Sequence, residues 1–528
     1  MPMNPPAAPG FGRLPELLLK LKEAFALGRP ATWTDRYKFL MAEAGFPLRT
    51  EEFVYSCRRG GPYFNTMNLD FFIPSLRPRS LTDEEFKFLG VDKLHMSQGF
   101  CDAMQRSITT HTIPPNSWFH NREPAFTVRG PSALVSNMEG SIIGETTFRI
   151  NVATLGAKLR LGLISSAELA ERLGVVTCEQ EADIIQEILG TMGISLPVTV
   201  DTLGYYNHVY ERCTAILDTV DGDATRVSEG GLRSATCPQN HLIAVAAAQA
   251  AGWKATSNVF LAMLLGMKPV GTTGHEHTQR HGSDLAAYEA AVDRCPGNIT
   301  MLLDTFSTLQ SGLPTAIRVM EQRPDRTLSV RPDCESTMEG DFMAILSAFT
   351  QRGLVNAGVG LSGGFNVEKT RRFEEIRTFL GWPSEKVKYL YGEFTLKPHV
   401  PLPTRSMASA VFKVCETAGR ATMKFSDGAD GKPGPKSSKP GRPVIFRLRH
   451  PGGAAYTQHP MGIIGQHGEA PPDGYFVLSG HDFQGSVSID IYDHFNLFPS
   501  LDSPQTAALV AACTTDRETV IRSALEAT

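Results

Sequence analysis

Short apolar runs that end in a polar or ionisable residue, each followed by a stretch with helical spacing, recur through the middle of this chain. Asn298 to Asp304 (NITMLLD), Thr327 to Asp333 (TLSVRPD), Ala357 to Leu361 followed by Ser362-Gly363-Gly364-Phe365-Asn366, and Lys388 to Tyr391 are the clearest. Asp284 to Asp293 and Gly340 to Phe349 read as helices between them. Strands that alternate with helices run parallel, because a parallel connection needs a long crossover. About five or six such units fall between residues 125 and 415, which predicts an α/β fold of the β/α-barrel type, irregular and with additions. In such a fold chemistry gathers where the strands end.

One stretch stands out from this frame: Ala251 to Gln279, AGWKATSNVFLAMLLGMKPVGTTGHEHTQ. A small polar turn, Thr256-Ser257-Asn258, precedes the apolar segment Val259 to Met267. A second turn, Gly271-Thr272-Thr273-Gly274, then delivers His275, Glu276 and His277. Glycines tolerate backbone conformations that bulkier residues resist, and free amides in such a loop can hold phosphate oxygens. The same letters also fit an ordinary turn with surface histidines.

The flanks are read as accessory structure. Leu14 to Leu27 has the spacing of an amphipathic helix. In Thr32 to Phe46, Thr34 or Asp35 is placed to cap a helix. Glu52 to Ser56 reads as a strand, and Arg79 to Gly90 as a helix opened by Ser80 or Thr82. Phe126 to Thr154 opens as a strand, turns at Gly130-Pro131 and continues as a long helix. Ala167 to Leu173, Glu179 to Leu189 and Asp201 to Ile216 read as helices. Gly428 to Pro443 has linker composition, Gly474 to Leu478 reads as a strand, and a C-terminal helix starts at Ser503. No internal repeat is evident.

Composition excludes several classes. The chain has 528 residues, 42% hydrophobic and 20% charged, with a net charge of -4. That charge gives no polycationic signature for nucleic acid or an anionic membrane. The start, MPMNPPAAPGFG, has no basic region followed by an apolar core, and no apolar stretch reaches the roughly 20 residues a bilayer span needs. Nine scattered cysteines without a C-x-x-C pair predict reduced thiols, a cytoplasmic location and no disulfide framework or zinc site.

The central stretch, with its Thr-Ser-Asn turn, apolar run and G-T-x-x-H-E, resembles the nicotinate phosphoribosyltransferases. In that family the histidine of this loop is the residue that ATP phosphorylates, and His275 occupies the position. His277 is a close neighbour. Thr34-Asp35-Arg36-Tyr37 is similar to the family's T-D-x-Y, whose tyrosine packs on the pyridine ring across a dimer interface. Glu229, Gly231 and Arg233 stand in register with [DE]-F-G-x-R. Val330-Arg331-Pro332-Asp333 resembles V-R-x-D-S-G, whose aspartate faces ribose hydroxyls and magnesium. Ser362 to Asn366 resembles the phosphate-site loop S-G-x-x-N. The strand-Gly-Pro-helix at Phe126 to Thr154 is also family-like, with Glu139 and Asn151 along it read as structural. Thr422 to Leu448 is similar to a family segment that would put Lys424, Lys439 and Arg442 near phosphates, or leave them solvated.

The resemblance implies a type II phosphoribosyltransferase-like barrel at 125–415, with an α/β accessory domain built from 1–124 and 416–528. It implies transfer of phosphoribosyl from phosphoribosyl pyrophosphate to nicotinate, coupled to ATP hydrolysis, with Mg2+, in a cytoplasmic homodimer whose sites lie at the interface. His275 would carry the phosphoryl group, with Glu276 orienting its ring. Arg233 and Arg331 would hold pyrophosphate and the base carboxylate, and Asp333 with Asp304 the ribose or metal. Ser362, Gly363 and Gly364 would take the 5′-phosphate. Asp35, Tyr37, Thr256, Ser257 and Asn258 would complete the substrate site. Three positions depart from the family. Gly230 stands where an aromatic stacks on the base, Ser234 where a second arginine is frequent, and Glu393 inside an expected phosphate loop, with Phe394 available to stack instead. These leave open a nicotinamide-using or other ring-nitrogen transferase, to which Arg331-Pro332-Asp333 is also similar, and a catalytically inactive nucleotide-binding relative.

Overall fold

The computed structural model describes residues 6–91, 98–425, 437–449, 459–479 and 489–526. Its centre is a parallel sheet of seven strands: β1 (Val227–Glu229), β2 (Ala255–Thr256), β3 (Lys268–Pro269), β4 (Ile299–Leu302), β5 (Leu328–Arg331), β6 (Gly358–Leu361) and β7 (Val387–Tyr391). The order is β3-β2-β1-β7-β6-β5-β4, all parallel. The sheet curls until its edges meet. Thr273, just beyond β3, donates its amide to the Thr300 carbonyl at 2.9 Å, and its hydroxyl accepts the Leu302 amide at 2.9 Å. One residue thus joins β3 to β4 and closes the ring.

The alternation of side chains along each strand explains both faces. Val227, Ile299, Met301, Val330, Val359, Val387 and Tyr389 are buried in the main apolar core with helical residues such as Leu242, Phe342 and Phe373. Ser228, Thr300, Ser329, Gly358 and Gly360 line the inside. Barrels of this kind are usually filled by large branched side chains. Here the small ones leave a cavity of about 450 Å³. Helices follow the strands as expected, at Pro238–Ala250, Val259–Leu265, Asp284–Arg294, Leu313–Gln322, Met338–Gln351 and Val367–Phe379. The sequence reading of five or six units falls short because β2 and β3 are two residues each.

Beside the barrel lies an antiparallel sheet ordered Arg420–Ala421, Val411–Thr417, Thr50–Ser56, Phe126–Pro131, Thr109–Thr112. The Phe126–Pro131 strand therefore pairs with Thr50–Ser56 and takes no part in the barrel. It leads straight into a helical run from Ser132 to Arg160, interrupted by a π-turn at Ile142–Thr146. A third sheet joins Pro443–Leu448, Gly462–Gln466, Tyr475–Val477 and Leu501–Asp502, with the Pro504–Glu526 helix against it. Most of the Gly428–Pro443 segment lies outside the described residues. Among the described residues no helix is long and apolar enough to cross a membrane.

The N-terminal segment is strapped across the barrel mouth. Asp35 forms a backbone bridge with Asn258, the Arg36 amide donates to the Ser257 carbonyl, and the Val259 amide donates to Thr34. Thr34 and Asp35 do not cap the Tyr37–Ala44 helix. The Thr34 hydroxyl donates to the Asn137 carbonyl, and the Asp35 carboxylate accepts from Ser257 at 2.6 Å. Thr82 does act as a cap, exchanging bonds with Glu85.

Candidate functional site

His275 opens the short helix after the Gly271–Gly274 loop, at the C-terminal mouth of the barrel. Neither glycine has a positive φ. Close approach explains them instead. A Cβ on Gly271 would sit 2.7 Å from the Tyr37 amide nitrogen, and one on Gly274 would sit 3.0 Å from the Tyr37 ring. The loop thereby packs directly on Tyr37.

The buried imidazole is held from both sides. Nδ1 lies 3.2 Å from the Thr305 hydroxyl, and Nε2 lies 2.7 Å from Lys424 Nζ. An ammonium only donates, so Nε2 accepts and Nδ1 carries the proton, an assignment made from the bonding partners. The Asp304 and Asp333 carboxylates stand 3.6 and 3.8 Å from Nε2. Burial and the Lys424 charge outweigh those carboxylates and bring the ring to a pKa of about 4. The imidazole is therefore neutral near pH 7. Asp333 is half-buried, and the water it has lost pushes its pKa up. The His275 ring, Arg331 and Lys424 hold it well below the usual range, and the Ser362 hydroxyl donates to it at 2.8 Å.

Donor atoms of His275, Asp304 and Asp333 lie within 4.8 Å of one another. Asp304 Oδ1 is buried without a hydrogen-bond partner. Two close carboxylates with an unused oxygen suit a hard cation that keeps some of its waters, which fits Mg2+.

Around this centre the expected residues divide. Arg233 is a third exposed, with Asp35 at 4.0 Å, and the charges of Glu139, Asp35 and Asp333 stabilise its guanidinium against burial. It makes no hydrogen bond among the described residues. Arg331 ends β5 beside Asp333 and also lines the barrel cavity, leaving its Nε buried without a partner. Gly363 and Gly364 adopt φ of +94° and +68°, ahead of the helix that Asn366 caps. Lys369 Nζ donates to the Gly363 carbonyl at 2.8 Å.

Other expected residues are consumed in the scaffold. Thr256 donates to the buried Glu229, Ser257 to Asp35, and Asn258 caps the Val259–Leu265 helix. All three are buried. Glu229 also accepts from the Gly231 amide, so this motif glutamate organises its own loop. Glu276 does not orient His275. Its carboxylate accepts from Lys38 at 3.2 Å and from the Ser136 hydroxyl, while Thr305 and Lys424 hold the ring. His277 is structural: Nε2 meets the Ala287 carbonyl at 2.9 Å, and burial lowers its pKa to about 3. Lys439 pairs with Asp502 and Arg442 with Glu52.

Around Glu139 the structure adds residues that the sequence did not offer. Glu139 is read from sequence as structural, yet it accepts from Tyr37 at 2.6 Å, from Lys38 at 2.5 Å and from Lys413 at 3.0 Å. Burial opposes its charge, and Lys38, Lys413 and Arg233 hold its pKa well below normal. Lys413 is driven down to about 8 by burial. Arg405 is driven down to about 10 by burial and by Arg233 nearby. No sequence signal marks Lys413 or Arg405, because each comes from a different segment. Asn151, also read as structural, donates to the Thr404 carbonyl. Gly230 is walled by Leu390, whose side chain would lie 2.7 Å from a Cβ there. Phe394 lies under Arg212 at 3.9 Å and beside Tyr391, half-buried against the apolar core.

No protein-family model and no curated protein sequence matches the chain. Its structure is similar to that of nicotinate phosphoribosyltransferase from Porphyromonas gingivalis. The identity is 18%, over 76% of this chain and 95% of that one, with a TM-score of 0.51. It is also similar to nicotinate phosphoribosyltransferase from Vibrio cholerae, at 16% identity over 78% of this chain and 90% of that one, with a TM-score of 0.52. The likeness is one of architecture, and the chain has the fold of these phosphoribosyltransferases.

Proposed function

We propose that this chain transfers phosphoribosyl from phosphoribosyl pyrophosphate to the ring nitrogen of nicotinate, with ATP hydrolysis coupled through His275. The observation that carries this reading is the neutral, buried His275 ring held between Thr305 and Lys424, within 4 Å of two carboxylates. A neutral imidazole with a lone pair on Nε2 is a nucleophile. In the resting site Lys424 masks that lone pair. A triphosphate arriving in the mouth offers the ammonium better acceptors, and Nε2 is released. The Nε2–P bond then forms as the bond from phosphorus to the ADP oxygen breaks. Thr305 keeps the ring in its Nδ1–H tautomer throughout.

In the transfer step the bond from the anomeric carbon to pyrophosphate breaks, and a bond to the base nitrogen forms. The charge on leaving pyrophosphate falls to Arg233 and Arg331, whose planar donors suit two-point contacts with phosphate. Asp304 and Asp333 would hold Mg2+, which when bound neutralises pyrophosphate oxygens. Tyr37 presents a ring face for the base, held by Glu139. Homodimerisation across this face belongs to the same reading.

Gly230 favours a second reading, in which nicotinamide or another nitrogenous ring is the acceptor, since it carries no aromatic ring and Leu390 stands 2.7 Å from where its Cβ would be. Incubation with γ-labelled ATP is expected to label the wild type and not His275→Ala. Product analysis with nicotinate and with nicotinamide separates the acceptors. Equal labelling of both proteins would remove His275 from the mechanism. Binding of phosphoribosyl pyrophosphate with no pyrophosphate release on any base would make the chain an inactive relative.

A further inference from the structure

Two segments 59 residues apart share a pattern: Thr177-Cys178-Glu179-Gln180-Glu181 and Thr236-Cys237-Pro238-Gln239-Asn240. Each cysteine is the N-cap of a 13-residue helix, Glu179–Thr191 and Pro238–Ala250, and each is extended, with φ of -157° and -162°. The two helix starts face each other and exchange caps. The Gln180 amide donates to the Gln239 side chain at 3.1 Å, and the Gln239 amide to the Gln180 side chain at 3.2 Å. Such first-turn amides have no partner within their own helix.

At the centre of this clasp the Cys178 and Cys237 sulfurs are 3.5 Å apart, both about 1% exposed. Glu181 lies close enough for the three donor atoms to surround an ion. Its two oxygens are already taken by the Thr236 hydroxyl and by the Thr177 amide and hydroxyl. That leaves a pair of thiols and no free carboxylate, which argues against a metal and for sulfur chemistry. A disulfide needs the sulfurs at about 2.05 Å, roughly 1.5 Å closer than they stand.

Position gives the pair its consequence. Cys237 follows Arg233 by four residues, and the 3-10 turn Leu232–Ser234 carries that arginine into the barrel mouth. A bond to Cys178 would fix the far end of the loop.

We propose that Cys178 and Cys237 are a redox modification site, oxidised by a peroxide to a disulfide that stiffens the Arg233 loop. One thiol loses its proton, its thiolate attacks a peroxide oxygen, the O–O bond breaks, and a sulfenic acid forms while the departing hydroxide takes up that proton as water. The second sulfur then displaces hydroxide from the first, which leaves as water with the remaining thiol proton. Burial raises the Cys178 thiol pKa well above its usual value, so that thiol is slow to give the attacking thiolate.

The test uses the full-length protein treated with hydrogen peroxide, then unfolded, alkylated with iodoacetamide and digested. The peptides bearing Cys178 and Cys237 are expected linked, lacking two hydrogens, and separable by dithiothreitol. Deuterium uptake over residues 230–237 is expected to fall by about threefold on oxidation, through fewer local openings. Neither change should occur in Cys178→Ala, with Cys237→Ala as the parallel control should the first fail to fold. Alkylation of both cysteines after peroxide would overturn the proposal, as would a linked pair with unchanged uptake at 230–237. Neither measurement depends on which reaction the barrel catalyses.

Discussion

Replacing Lys424 by methionine keeps the length of the side chain and removes the charge beside His275. The Nζ–Nε2 separation is 2.7 Å. At an effective dielectric of 20, a unit charge at that distance opposes protonation by up to about 6 kcal/mol. Relaxation of the site and the remaining burial take roughly half of this, leaving about 3 kcal/mol, or about 2 pKa units. With the ammonium gone, Asp304 and Asp333 at 3.6 and 3.8 Å act on the ring unopposed. The ring, now at about 4, is expected to titrate near 6 in Lys424→Met. The assay is an NMR titration of ¹⁵N-histidine-labelled protein, with His275→Gln identifying the signal. In the wild type the ring should stay neutral between pH 6 and 8, with Nδ1 protonated. In the variant it should take up a proton on going from pH 7 to pH 5. Labelling by γ-labelled ATP should follow, flat across pH 6 to 8 in the wild type and falling below about pH 6 in the variant, because only the neutral ring is a nucleophile. An unchanged titration near pH 4 in Lys424→Met would refute the reasoning, since burial alone would then set the ring's state.

Three further outcomes follow from the packing. Gly271→Ala drives a Cβ into the Tyr37 backbone at 2.7 Å, and should cost about 1–3 kcal/mol in denaturant unfolding and abolish turnover. Gly340→Ala, with open space around its Cβ in the Met338–Gln351 helix, should be neutral or stabilising by up to about 1 kcal/mol. Glu51→Ala strands the buried Arg280 guanidinium, now bonded to Glu51 at 2.8 and 2.9 Å, and should destabilise by about 3–5 kcal/mol in urea unfolding. His277 is fully buried with its pKa lowered to about 3. The unfolded chain takes up this proton below about pH 6.5 and the folded one does not, so stability falls as pH drops. About 2 kcal/mol should be lost between pH 6.5 and 5 through this ring, and His277→Gln should lessen that slope.

The strands from Ile299 to Tyr391 are legible in sequence because their buried outer faces leave apolar letters and their ends leave polar ones. β2 and β3 leave almost no trace, since Ala255–Thr256 and Lys268–Pro269 are too short for a period of two to show. The histidine cluster misleads for a geometric reason. Side chains one or two residues apart on a helix point in different directions. So Glu276 turns to Lys38 and His277 to Ala287, while His275 alone faces the two aspartates. Lys424 and Glu139 gain their positions only when remote segments fold together, Lys424 standing 149 residues from His275. The Thr-Cys-x-Gln pairing escapes notice for the same reason, because nothing local to either segment says that the two helix starts meet.

Seven strands need seven seams, and six of them are ladders of peptide bonds. The seventh rests on Thr273, whose amide and hydroxyl do the work of a strand. Because Thr273 is two residues from His275, the hoop is tied at the point where the imidazole is mounted. A sideways displacement of that ring therefore pulls on the knot itself, and the circumference of the whole cylinder resists it.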